Sequence, residues 1–454
     1  MTDRMSKKTT GMMARFGVAG CLLTLLFCRP AAPAGLNDDT TATILSGMRM
    51  TWGGHARAVG IITAVGGNSI YASVDDGPYM DGQAEWRLKN RLDIGSRWPI
   101  DTHYELVGYG GDTREASQAL LAGLPATPTS TIFVNRPIND DRRLLDLTHV
   151  LSETDDYLIY HRLDRLNLTW TPDWGTVRLG RQALTWGDGL VFNPMDLFNP
   201  FAPTAVLRDY KTGDDMALLQ VPVGQSDMQL LYLPRRDPST GDVESDAASY
   251  AAKYHTVAGS IEFSAMAARH YDDGIGGLGA SGYLGEAVWR IDAVYTRLAE
   301  ETPGDDFFQI VANLDYAWMW GAKNVYGLIE FYYNGLGFRD DYRQAFNDPA
   351  LVERLVRSEM YTIGRVYLAG QLQVQLHPLV QLHATGIINL ADPSGLLQPQ
   401  VLWDVASDWQ LILGAQWHWG ADGSEFGGFD VDVGDDAFTA APNDRAYLWL
   451  TYYF

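Results

Sequence analysis

The final ten residues, RAYLWLTYYF, restrict the fold more than any other stretch of this chain. Leu448, Leu450, Tyr452 and Phe454 recur at every second position, so a strand here carries one continuous apolar face. Over the last five positions the only polar groups are Thr and Tyr hydroxyls. A soluble sandwich would have to hide that face inside. A barrel that crosses a membrane turns the same face to lipid.

The pattern recurs upstream. In RVYLAGQLQVQLHPLVQLHATGIINL, Val366, Leu368, Leu372, Val374 and Leu376 oppose Arg365, Gln371, Gln373, Gln375 and His377. After Pro378 the alternation resumes, with Val380, Leu382, Ile388 and Leu390 against Gln381, His383, Thr385 and Asn389. That is a hairpin with one apolar and one wet face. DWQLILGAQWHWG sets Trp409, Leu411, Leu413, Trp417 and Trp419 against Gln410, Gln416 and His418. AEWRLKNRLDIG sets Trp86, Leu88, Leu92 and Ile94 against Glu85, Arg87, Lys89, Arg91 and Asp93.

The N-terminus has the form of a secretory signal. Arg4, Lys7, Lys8 and Arg15 precede an apolar core, Phe16 to Cys28, of 13 residues, and Ala32-Pro33-Ala34 offers cleavage before Gly35. Thirteen residues are too few to span a bilayer as a helix. Lipoprotein processing at Val18-Ala19-Gly20-Cys21 is disfavoured, because most of the apolar run follows Cys21. Both cysteines, Cys21 and Cys28, fall in residues 1–34, so the mature chain from Gly35 to Phe454 is expected to carry no thiol, disulfide or Cys-based metal site. Removing five positive residues and one Asp with that segment takes the formal charge from −22 to −26. An acidic chain rich in Tyr (23), Trp (14) and Gly (46), with no long apolar helix after its signal, fits an outer-membrane β-barrel exported through the envelope. Its competitor on composition is a secreted sandwich or propeller.

Strand parity checks this reading. Outer-membrane barrels pair short periplasmic turns with long external loops. Counting back from Phe454, the turns near Ser407, His377-Pro378 and Gly321-Ala322 are periplasmic, and 421–444, 391–396, 336–358 and 298–305 are external. The alternation continues upstream only if the Gly-rich GIGGLGAS segment is itself a strand. The expectation is one all-β antiparallel barrel of about 18 strands (16–18), with both termini periplasmic and a lumen wide enough for water. One external loop is expected to hold a helix, capped by Asp348 and begun by Pro349.

The stretch GRQALTWGDGLVFNPMDLFNPFAP is anomalous in such a chain. Asn193-Pro194 and Asn199-Pro200 forbid regular helix, yet the segment is too apolar for water. Residues 184–213 are external by parity, and the barrel interior is the expected shelter. Trp186, Phe192, Phe198 and Phe201 then pack on the wall, and Asp188, Asp196, Asp209, Asp214 and Asp215 face the channel. Alternation points Arg87, Lys89, Arg91, Arg165 and Arg178 inward from the early strands, with Arg181 near the rim. Together these bases and acids are the candidate constriction.

LDRLNLTW followed by VRLGRQALTWGDGL resembles the strand pair of porin-like outer-membrane proteins of the alginate-export type, in which a Gly-Arg-Gln segment closes a lumen-facing strand. The resemblance covers the residues around Arg165, Gly180, Arg181, Gln182, Trp186 and Gly187. The terminal aromatic strand is similar to the C-terminal signal of bacterial outer-membrane barrels. The resemblance implies a passive conduit for anionic polysaccharide or small solutes. The FNPMDLFNPFAP insert and the acidic balance depart from that pattern and speak against an anionic polymer. The expected function is a porin-like channel for small or charged solutes. The alternative is a scaffold barrel that sheathes a periplasmic partner, such as an electron carrier or secretion component. Expected partners are outer-membrane lipid, lipopolysaccharide, the barrel-assembly machinery and an unidentified solute, with no nucleic acid and no cofactor. No hydrolase, Walker or dinucleotide motif is present, so no enzyme is expected, although His149, His270 and Ser281 offer Ser-His chemistry. GGFDVDVGDD is a poor calcium loop, since Asp435 stands where glycine is needed and Ala441 where an acid is.

Overall fold

The computed structural model describes residues 40–45, 47–67, 69–75, 77–123, 132, 138–202, 204–237, 240–433 and 436–454. The expected signal, with both cysteines, lies outside them. Eighteen antiparallel strands close into a single barrel. Met48–Ala64 pairs with Asp444–Tyr453 to shut the ring, Ala58 standing opposite Leu450. The Gly-rich segment is a strand, Asp273–Leu284, so the parity holds through the described strands from Met48 to Tyr453.

At one end most connections are two-residue turns, at 224–225, 259–260, 285–286, 321–322, 378–379 and 407–408; 95–97 and 171–175 are slightly longer. Gly224, Gly259, Gly285 and Gly321 open four of them at φ between +62° and +67°, a conformation that side chains with a Cβ resist. The opposite end carries the long connections 65–78, 112–156, 183–213, 335–365 and 420–443. Alternation then sorts the strand residues. Leu278, Leu413 and Ile329 stand 67%, 55% and 52% exposed on the lipid face, whereas Glu330, beside Ile329, is fully buried on the other. Aromatic residues mark both membrane boundaries. Trp98 stacks on Trp170 and Tyr316 on Trp318 at the short-turn end; Tyr295 meets Phe308 and Trp417 meets Trp419 at the other.

Two caps cover the mouth. The helix Pro349–Arg357 starts where Asp348 accepts the Leu351 N–H at 3.1 Å, and it packs Leu351 and Leu355 with Leu298, Phe307, Tyr342 and Phe429. The hairpin Phe429–Val433/Asp436–Ala440 joins this cap, with Asp430 accepting from the Thr439 hydroxyl at 3.0 Å. Across the mouth, helix Asp112–Gly123 packs Leu120 on Ile70. The segment after it mends the wall. Thr148–Glu153 pairs with the outer half of Tyr157–Trp170, above the point where the short strand Thr176–Gln182 ends, and Arg143 bridges to Arg235.

Phe454 lies on the closing seam. Its N–H donates to the Gly54 carbonyl at 3.2 Å, and its carbonyl accepts the Gly54 N–H at 2.9 Å. Its ring fills the space in which a Cβ on Gly54 would sit, 2.8 Å away. Deleting Phe454 is therefore expected to slow closure, leaving chains that migrate identically with and without heating and accumulate in the periplasm. Wild-type heat-modifiable mobility of the truncated chain would contradict this.

Candidate functional site: a lumen crossed by one loop

Residues 183–213 touch the inner face of the barrel on opposite sides. Asn193-Pro194 and Asn199-Pro200 keep the segment irregular, so its backbone groups must find partners elsewhere. The wall supplies them. Glu330 accepts the N–H groups of Leu190, Val191 and Phe192 at 2.8, 3.1 and 2.6 Å, and Asp292 accepts that of Asp188 at 2.6 Å. Phe192 stacks on Tyr332 with centroids 4.5 Å apart. Trp186, Met195 and Phe198 are buried with Met216, Leu231, Leu233, Met266 and Ile275. Space for Met195 comes from the bare Gly277, where a Cβ would lie 3.1 Å from the Met195 methyl.

The second half of the loop lies against the far wall. Val206 packs among Val59, Ile61, Tyr447 and Trp449, and Gln416 donates to the Thr204 carbonyl at 2.8 Å. Asp209 accepts from Arg57 at 2.9 Å, and Tyr210 donates to Glu85 at 2.8 Å while its ring lies 3.6 Å beneath the Arg87 guanidinium. The two ends are tied together: Asn199 donates to the Thr212 carbonyl at 2.7 Å, and Lys211 reaches the Leu184 carbonyl at 3.0 Å and pairs with Asp196.

Burial pushes the Asp196 carboxyl up to about 6, against the pull of Lys211. Its ordinary value is about 4, so the docked loop holds this proton more tightly than an undocked one. Docking is thus favoured below about pH 4 and loses this contribution as the pH rises through about 6. Loop-opening events in single-channel records are expected to become more frequent from about pH 4 to about pH 7, and Asp196→Asn should flatten that dependence. An unchanged pH profile in the variant would assign the titration elsewhere.

The wall behind Asp209 and Tyr210 is basic but internally paired. Arg87 meets Glu105 at 3.2 Å and Asp164 at 2.5 Å, and Arg162 donates to Glu105 at 2.7 Å. Arg165 meets Asp164 at 2.6 Å and the Lys211 carbonyl at 2.7 Å. A bulge between His103 and Tyr104 on one side and Leu163 and Arg165 on the other brings Arg162, Asp164 and Arg165 together inside. Lys89 remains exposed. Arg91 is half exposed near the short-turn end, with Asp93 at 3.0 Å and Asp101 at 3.4 Å. Arg178 makes one long contact with Gln182, 3.5 Å. Arg181 is buried away from these residues, paired with Asp140 at 2.8 Å and Asp215 at 2.9 Å beneath the mended wall. Although burial raises it, Arg143 and Arg181 hold the Asp140 carboxyl down at about 2. Asp214 pairs there with Arg235 at 2.9 Å.

Nine strands around the ring, Asp292, Asp315 and Glu330 form an acidic counterpart with Arg290. Asp188 lies beside Asp292. Alternation alone did not single out Arg57, Glu105, Arg162, Asp164, Asp292 or Glu330. Arg57 between the small Ala56 and Ala58, and Glu330 as the lone acid in GLIEFYYN, were the available signals. Elsewhere, Ser249 Oγ lies 2.7 Å from His270 Nδ1, whose Nε2 lies 3.1 Å from Glu359. His149 faces His161 with ring centroids 5.6 Å apart, and Ser281 sits in the Gly-rich strand.

Fold and interior together define a closed antiparallel barrel of 18 strands with an apolar outer belt, its lumen crossed by a wall-bound loop. Solved structures share the architecture. Acinetobacter baumannii OccAB2 is similar over 89% of this chain and 98% of its own, at 9% identity and a TM-score of 0.50. Pseudomonas aeruginosa OccK5 (OpdH) is similar over 91% and 99%, at 9% identity and a TM-score of 0.50. P. aeruginosa OccK2 (OpdF), solved in complex with glucuronate, is similar over 89% and 98%, at 9% identity and a TM-score of 0.50. No family model matches the chain, and no curated protein matches it in sequence.

Proposed function

We propose that this protein is a porin-like outer-membrane channel that passes small or charged solutes passively, with residues 183–213 narrowing the passage. The observation that carries this reading is the loop itself, hydrogen-bonded to Glu330 on one wall and to Arg57 on the other. A passage between a basic and an acidic wall experiences a transverse field that orients solutes by charge. Lys89, Arg178 and the half-exposed Arg91 and Asp209 are the groups of the candidate constriction left to meet a solute; Arg87, Arg165 and Asp196 act by holding the others in position. Arg181, with its Gly180 and Gln182 neighbours, supports the wall. On that segment we propose a kinship to alginate-export-type barrels.

The sheath alternative loses ground because the crossing loop occupies the space a threaded partner needs. The Ser249–His270–Glu359 array is read as a structural bridge from wall to cap, since Ser249 is fully buried. Lipid around the apolar belt, lipopolysaccharide at the acidic external loops and the assembly machinery at the Phe454 strand are the proposed partners.

Planar-bilayer conductance of the purified protein tests the channel. Discrete openings are expected, and Lys89→Ser together with Arg87→Ser should shift selectivity toward cations, because positive lumen charge is lost while Glu105 and Asp164 remain. Glucuronate, bound in one similar structure, is a suitable first solute. A barrel that folds yet never conducts would overturn the reading.

A further inference from the structure

The inward glycine Gly279 leaves two polar side chains open to each other that a Cβ there would screen apart. Ser264, Gly279 and Asp292 stand side by side on three adjacent strands. A Cβ on Gly279 would lie 2.5 Å from Asp292 Oδ1, 2.5 Å from Ser264 Oγ and 3.7 Å from Asp188 Oδ2. Three side-chain oxygens therefore converge above a bare backbone. Asp292 is 0% exposed and Ser264 8%, and neither Asp292 Oδ1 nor Ser264 Oγ has a hydrogen-bond partner among the described residues. The other Asp292 oxygen is already taken by the Asp188 N–H.

A buried, unpartnered carboxylate oxygen is costly, and two carboxylates side by side raise the cost. The Gly189 N–H also reaches the Asp292 carboxyl, but the side chains nearby do not relieve it. Asn313 donates to the Asp188 carbonyl at 3.3 Å and to Glu330 at 3.1 Å, and Arg290 is engaged by Asp315. The charge of Lys253 reaches Asp292, but the two make no direct ion pair among the described residues.

We infer that Asp188, Ser264 and Asp292 form a site for a small divalent cation of the calcium type, which clamps the crossing loop to the wall. An all-oxygen donor set selects a hard cation, and two carboxylates balance its charge. Calcium accepts irregular sets of oxygens at about 2.3–2.6 Å, whereas magnesium requires a near-ideal octahedron. With three protein oxygens and lumen water as ligands, the affinity belongs in the weak class, a Kd of about 10⁻⁴ to 10⁻³ M. Because Asp188 belongs to the loop and the other two residues to the wall, the ion crosslinks them.

Calorimetric titration of the EDTA-treated, detergent-purified barrel with calcium chloride tests this. One saturable site is expected, weakened several-fold by Ser264→Ala and abolished by Asp292→Asn and by Gly279→Ala, which fills the cradle but keeps all three oxygens. Asp430→Asn, on the external hairpin, should leave it unchanged. Binding that survives in both Ser264→Ala and Asp292→Asn, or no saturable binding at all, would overturn the site and leave a bridging water in its place. The site is independent of the channel reading: a barrel that binds calcium without conducting would overturn that reading alone.

Discussion

Replacing residues 184–213 by a short Gly-Ser linker is expected to raise single-channel conductance several-fold and to admit larger solutes, with the barrel still closed. The strand pairs that close the ring use no residue of this loop. What is lost is the apolar burial of Trp186, Met195 and Phe198, about 1.5–3 kcal/mol for each side chain, together with the hydrogen bonds to Glu330 and Asp292. Met216, Leu231, Leu233 and Met266 then face water, so the thermal midpoint should fall even as conductance rises. In this widened barrel the effect of replacing Arg87, Lys89 and Arg91 by Ser should shrink, because the Debye length, about 10 Å at 0.1 M salt, becomes short against the lumen. Unchanged conductance would mean that the loop does not obstruct the path.

Glu330→Leu should have the largest effect of any single substitution on the loop. It removes the common acceptor of the Leu190, Val191 and Phe192 N–H groups and of the Asn313 side chain. Each buried donor left without a partner costs about 1–3 kcal/mol, so the docked loop should lose several kcal/mol and open readily. Glu330→Gln keeps one acceptor oxygen and should lie between the two. The measurement is cleavage within 183–213 by protease added outside, alongside the open-state population in single-channel records. A loop as resistant in Glu330→Leu as in wild type would show that its aromatic packing alone holds it.

Much of the architecture is legible because lipid contact is a local demand. Every second residue of a spanning strand must be apolar, so Leu411, Leu413 and Trp417, or Leu448 and Leu450, declare their facing without knowledge of their neighbours. Parity then carries this count around the ring and even identifies the Gly-rich strand. The two Asn-Pro pairs likewise mark 184–213 as neither helix nor strand.

The interior obeys no such local rule. Arg162, Asp164 and Arg165 cannot all face inward at period two; a bulge makes it possible, and nothing in LDRLNL announces one. The alternation that points Arg178 inward also leaves Arg181 undecided, and its partners Asp140 and Asp215 come from a distant loop and the next strand. Glu330 becomes the anchor of Phe192 only when a segment 138 residues earlier is brought across the lumen to it. The sequence by itself thus determined the barrel, its strand count and its lipid face, because those follow from the repeat of a single strand. Only the tertiary structure decided which charges cancel, which remain exposed and what holds the loop, because strand register and ring closure bring together residues that no sequence spacing relates.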